Sequence, residues 1–228
     1  MIYEKHYVWS ILLRLYHWAM VSSIVALTVT GFYINSPWTQ TTLEGAGLFP
    51  MMAMRNIHGL AAYLFTGAIL ARLFLLVFGN RQERILDMLP VTPRNIKNLV
   101  TTLGSYLYVI DAHDEDRLGH NVLAGMTYIL TFIVALFQIA SGFFLRLPES
   151  AFWQSWGVTL FGTQQHARYV HHLLMWYFLI FALVHVYLVI WNDLKNSDGL
   201  ISSIFTGNKF RPRESRPSNK NNLDVLGS

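Results

Sequence analysis

Four histidines stand in apolar surroundings: His17, His58, His171 and His185. Ionisable side chains are rare inside a bilayer, where a central Arg or Lys costs about 2.5 to 3.5 kcal/mol, and even a neutral imidazole needs partners for its ring nitrogens. His171 and His185 are 14 residues apart. At about 100° and about 1.5 Å per helical residue, they return to within about 40° of one face and lie roughly 21 Å apart along the axis. One helix thus presents a nitrogen ligand near each surface of a membrane, and the chemistry this suggests is metal coordination at two depths.

The elements that must carry these residues are long and apolar. Of 228 residues 53% are hydrophobic and 13% charged, whereas a soluble domain carries about a quarter charged residues. Four stretches, at about 11–34, 57–78, 121–145 and 169–191, meet the roughly 20 residues needed to cross a hydrocarbon core. The first is too long for a signal-peptide core, contains Arg14 and His17, and lacks a small-residue cleavage site, so it reads as retained. There is no cysteine. That excludes disulfides, thiolate metal sites, iron–sulfur ligation by this chain and covalent haem attachment, and leaves nitrogen or oxygen to hold any redox group.

The fold class expected is an all-α integral membrane protein, a four-helix transmembrane bundle over residues 1–206. After Pro93, the residues Ile96, Leu99, Val100, Leu103, Leu107 and Ile110 repeat at helical spacing, which predicts an amphipathic helix lying on the membrane surface. Residues 207–228 are rich in Lys, Arg, Asn, Ser and Pro and read as a disordered polar tail. Loop one, about 35–56, and loop three, with Phe152, Trp153, Trp156 and Phe161, read as outer loops, the latter an aromatic belt or a docking surface.

Charge distribution sets the orientation. The 17 Lys and Arg residues give a net charge of +4, but they concentrate near the N-terminus, in the central loop and in the tail. Loops one and three hold only Arg55, Arg146 and Arg168. The bias places both termini and the central loop in the cytoplasm, and it reports topology, not nucleic-acid binding.

Depth then follows from sequence order. His17 and His185 fall on the cytoplasmic side, and His58 and His171 near the outside. Two such couples are what two bis-histidine haems need, since axial ligation takes one imidazole on each side of a flat macrocycle. Arg72, 14 residues after His58, falls at the inner depth, where a guanidinium could neutralise a haem propionate or reach to the cytoplasmic surface. Gly31, 14 residues after His17, falls at the outer depth, where it could admit a flat ring or ease helix packing. His120 opens the third span beside Asn121, a place to meet a quinone head group or a proton, unless Asn121 simply caps the helix. His172 points about 100° away from His171 and could displace it as ligand, though its 13-residue separation from His185 holds the shared face less well. His166 reads as an outer loop residue, and His6 and His113 as solvated.

Several segments carry a family resemblance: Arg14-Leu15-Tyr16-His17-Trp18, Arg55-Asn56-Ile57-His58-Gly59, Leu118-Gly119-His120-Asn121, and Val170-His171-His172-Leu173-Leu174-Met175-Trp176 with His185-Val186-Tyr187. With Arg72 and Gly79-Asn80-Arg81, their order and spacing resemble the b-type cytochrome subunit of membrane-bound nickel-iron hydrogenases. The resemblance implies an inner-membrane anchor for periplasmic large and small hydrogenase subunits. It implies electrons taken from small-subunit iron–sulfur clusters, an outer haem b on His58 and His171, an inner haem b on His17 and His185, and quinone reduced near the inner one. Hydrogen conversion itself would belong to the partners. The gamma subunit of formate dehydrogenase has a similar helical layout, so its type of complex is a second reading; a proton transporter using intramembrane His and Arg is a third.

Overall fold

The computed structural model describes residues 3–39, 49–80, 83–84, 89–106, 122–196 and 199–212. In chain order the elements are β1 (Tyr3–Tyr7), α1 (Ile11–Asn35), α2 (Pro50–Phe78), α3 (Pro93–Tyr106), α4 (Val122–Arg146), α5 (Ala151–Phe161), α6 (Gln164–Asn196), α7 (Leu200–Thr206) and β2 (Asn208–Pro212). Helices α1, α2, α4 and α6 are each long and apolar enough to cross a membrane. α1 lies along α2, α6 along α4, and α2 meets α4. Their shared core is small: Met20, Phe65, Ala68, Ile69, Ala135 and Phe178, drawn from all four spans. Most remaining apolar side chains face outward, Leu60 and Leu183 among them at over 70% exposed. Such a surface is unfavourable in water and suited to lipid.

One end of the bundle is tied shut. β1 and β2 pair antiparallel, Tyr3 opposite Pro212 and Tyr7 opposite Asn208. The segments before α1 and after α7 therefore meet on one side, as an even number of crossings requires. Trp9 Nε1 donates to Ser203 Oγ at 3.0 Å. Ser10 caps α1 by accepting from the Leu13 amide, while its own amide donates to Glu83, a carboxylate only 1% exposed that also accepts from the Asn80 amide. Gly207 turns the chain into β2 with φ +81°, and a Cβ there would lie 2.8 Å from the Trp9 carbonyl oxygen.

The structure departs from the sequence expectations at element ends. α2 begins at Pro50, not near residue 57, because proline at the first helical position is already set for the helix while Arg55 and Asn56 only lower its hydropathy. α6 has 33 residues, about 50 Å of helix, and outruns a bilayer core of about 30 Å at both ends. It takes in His166, which lies in its first turn and not in a loop. Loop three contains α5. There Trp153 stacks on Phe143 and Phe161 on Phe144, so two of the four rings serve packing, while Phe152 and Trp156 stay exposed. β2 occupies residues 208–212 of the segment read as tail, because pairing with a distant strand is invisible to local composition.

α3 forms where the spacing places it, with Leu107 and Ile110 outside the described residues. Its polar Asn95 and Asn98 are buried and its apolar Ile96, Val100 and Leu103 are exposed. Asn98 Oδ1 accepts from the Val122 amide at 2.9 Å and so caps α4 from another helix. A helix that turns polar groups inward and apolar ones outward is built for lipid contact.

The α5–α4 contact is close enough to test. A Cβ at Gly157 would come within 2.1 Å of the Phe144 ring, itself 1% exposed. Gly157→Ala should lower the thermal unfolding midpoint in detergent, at a cost of about 1–3 kcal/mol for overpacking. An unchanged midpoint would mean that α5 yields freely.

Candidate functional site

The four histidines sit on three helices and gather at two levels. His58 on α2 and His171 on α6 face each other with ring centroids 6.4 Å apart and planes inclined by 59°. At the opposite end, His17 on α1 and His185 on α6 are close enough to interact electrostatically. The helix neighbours tell the two levels apart. His58 and His171 stand beside Gly31, Thr30, Ser141 and Gly142, at the ends of α1 and α4 remote from the β1–β2 pair. His185 stands beside Tyr128, near the start of α4, and His17 adjoins Trp18, which packs on Phe205 of α7.

Gly31 lies where its spacing places it, at the level of His58. A Cβ on it would be 3.6 Å from His58 Cε1 and 3.8 Å from Met175 Sδ. Arg72 lies at the other level, 7% exposed, with its guanidinium carbon 5.9 Å from the Tyr16 ring centroid. It also acts electrostatically on Glu83 and Tyr128. His120 falls outside the described residues. His172 turns away from the centre and accepts a hydrogen bond from Trp176 Nε1 on its own helix.

Three features went unread in the sequence. Thr30 Oγ1 meets His58 Nδ1 at 2.8 Å, and Ser141 Oγ meets His171 Nδ1 at 2.8 Å. Gly142 is to His171 what Gly31 is to His58, since a Cβ there would lie 3.2 Å from His171 Cε1. Arg146 covers Gly59, where a Cβ would come within 2.4 Å of its guanidinium, and acts electrostatically on His58. The signals were present as Thr30-Gly31 and Ser141-Gly142, but a Ser or Thr in a span is common enough that only three-dimensional pairing marks it.

These residues fit an iron porphyrin. Metal–imidazole bonds of about 2 Å on two sides of one iron put the ring centroids roughly 6 Å apart, close to the 6.4 Å observed. At the other level, His17 Nδ1 is buried with no hydrogen-bond partner.

Four membrane-spanning helices that bring imidazoles together at two depths make the frame of an integral membrane cytochrome. The chain belongs to the prokaryotic cytochrome b561 family, whose sequence model matches residues 8–207. It is 32% identical to the "Probable Ni/Fe-hydrogenase B-type cytochrome subunit" of Cupriavidus necator, over 88% of this chain and 85% of that one. It is 33% identical to the protein of the same name from Azotobacter vinelandii, over 88% and 87%. The "Probable Ni/Fe-hydrogenase 1 B-type cytochrome subunit" of Escherichia coli K12 is 29% identical, over 89% and 90%. The protein is thus a multi-pass membrane cytochrome that transfers electrons through haem b.

Without cysteine the haem is held non-covalently. Purified protein should show the reduced-minus-oxidised spectrum of low-spin haem b, and acid–acetone should extract all of it. Haem that stays with the polypeptide after extraction would contradict this.

Proposed function

We propose that the chain binds two haems b and carries electrons across the bacterial inner membrane, from a periplasmic nickel-iron hydrogenase to quinone. His58 and His171 would hold the outer haem, with Gly31 beside His58, and His17 and His185 the inner. The observation that carries this reading is the 6.4 Å approach of His58 to His171 from separate helices. Bound haem supplies one-electron chemistry, and with both axial positions taken by imidazole it leaves no open site for oxygen. Arg72 would offset propionate charge at the inner level, and Arg146 would do the same at the outer. His120 would stand near the quinone. The charge bias supports cytoplasmic termini, which puts His58 and His171 on the periplasmic side.

The names of the relatives support hydrogenase large and small subunits as partners. A formate dehydrogenase-type donor is the alternative. Isolation of the complex from native membranes decides between them, by whether hydrogenase or formate dehydrogenase subunits accompany the chain. The proton-transporter reading has no feature in its favour that electron transfer leaves unexplained.

The ligand assignment has a sharper test. His58→Ala and His171→Ala should each lower haem content from two to one per chain, with the same haem lost in a potentiometric titration. His17→Ala and His185→Ala should remove the other. The double variant His58→Ala/His171→Ala should keep one haem, and His58→Ala/His185→Ala none. Loss of the same haem from both α6 variants would overturn the pairing.

A further inference from the structure

Each imidazole of the outer couple is met by the same two-residue unit on a neighbouring helix. On α1 it is Thr30-Gly31 against His58, and on α4 it is Ser141-Gly142 against His171. The hydroxyls have one proton each, and both are already committed. Thr30 Oγ1 donates to the Ala26 carbonyl at 2.6 Å, and Ser141 Oγ donates to the Gln138 carbonyl at 3.1 Å. With those protons on the carbonyls, each hydroxyl is set to accept from the imidazole it meets. That arrangement puts the proton of each ring on Nδ1 and the lone pair on Nε2. The Gln138 side-chain amide lies 3.3 Å from His171 Nε2, a contact that iron at Nε2 would replace. The glycine that follows each hydroxyl lies against the ring edge: a Cβ at Gly142 would press on His171 Cε1 from 3.2 Å, and one at Gly31 would touch His58 Cε1 at 3.6 Å.

We propose that Thr30-Gly31 and Ser141-Gly142 are a repeated positioning device that presents His58 and His171 to iron through Nε2 and lowers the midpoint potential of the outer haem. It rests on the reading that these two histidines hold that haem. An imidazole that donates its remaining N–H gains electron density, becomes a stronger ligand and favours ferric iron. His17 is different, because its Nδ1 is buried without an acceptor.

The test uses the full-length protein with both haems bound. Thr30→Val keeps the shape and removes the hydroxyl, Thr30→Ser restores it, and Ser141→Ala repeats the deletion on the other ligand with little change in volume. Thr30→Val and Ser141→Ala should raise the midpoint of one haem, the same one in both and the one that His58→Ala removes. The other midpoint should stay in place, and Thr30→Ser should return to the starting value. Gly142→Val should lower the occupancy of that haem, while Gly67→Val, at a glycine with nothing within 4 Å, should leave both haems. Unmoved midpoints in Thr30→Val and Ser141→Ala, or a shift in the haem held by His17 and His185, would overturn the proposal. Full occupancy in Gly142→Val would overturn the glycines' part. Retention of two haems in His58→Ala is a separate result, which removes the ligand assignment itself.

Discussion

An imidazole inside a hydrocarbon slab has two ring nitrogens to satisfy and no water to do it, and the bundle is organised around that requirement. At the level of His58 and His171 the Nδ1 atoms are taken by hydroxyls of helices that carry no histidine at that depth. α1 serves α2 in this way and α4 serves α6, which matches the close pairing of those same helices. A hydroxyl that both accepts from the ring and donates to its own helix costs the backbone nothing, because the carbonyl it reaches tolerates a second donor. That leaves the Nε2 atoms, of which that of His171 meets the Gln138 side chain of α4 at 3.3 Å. On the proposed reading iron takes both.

Between the two levels the bundle is filled differently. Met20, Phe65, Ala68, Ile69, Ala135 and Phe178 meet there, with Phe65 and Phe178 edge to face at 5.8 Å. These six side chains offer no chain of donors and acceptors along which a proton could step. Electrons need no such chain, only packed matter over a short span. Along α6, Tyr177, Phe181 and His185 stack in turn, with planes inclined by 12° at each contact. Buried apolar side chains between the two levels, with the Tyr177 hydroxyl turned to Thr131 beside them, suit a carrier of electrons better than a carrier of protons.

The sequence made the large features legible because each rests on one-dimensional information. Hydropathy marks a span, helical geometry converts 14 residues into a depth, and His17, His58, His171, His185, Gly31 and Arg72 all lie at the levels their spacing assigns. What was missed needs a second segment to be seen. β2 is a strand only because β1 lies beside it, and α5 is a helix in a stretch whose aromatics read equally well as a belt. Thr30 and Ser141 could not be told from other small polar residues in spans, such as Ser22 or Thr127, whose hydroxyls bond only to their own helices. Gly142 escaped for a related reason: it falls on a helix that carries no histidine in the spanning region from which to count.

The two ends of the bundle are unlike, and the difference has a direction. At the end near His17 and His185, strand pairing, the Trp9–Ser203 bond and the buried Glu83 tie β1, the start of α1, α7 and β2 together. At the end near His58 and His171, α5 leaves Phe152 and Trp156 exposed, and Arg55 and Arg168 stand at the surface nearby. Exposed aromatic rings with a few cations serve equally for an interfacial belt and for a protein contact. Electron transfer separates the two roles by distance, because a donor must come close to the haem it reduces whereas lipid need not. His58 and His171 lie level with Thr30 and Ser141, near the ends of α1 and α4, so a donor seated on this end would meet them first. Electrons entering there would reach the locked end last, where a buried Arg72 supplies positive charge and so favours arrival of a negative one.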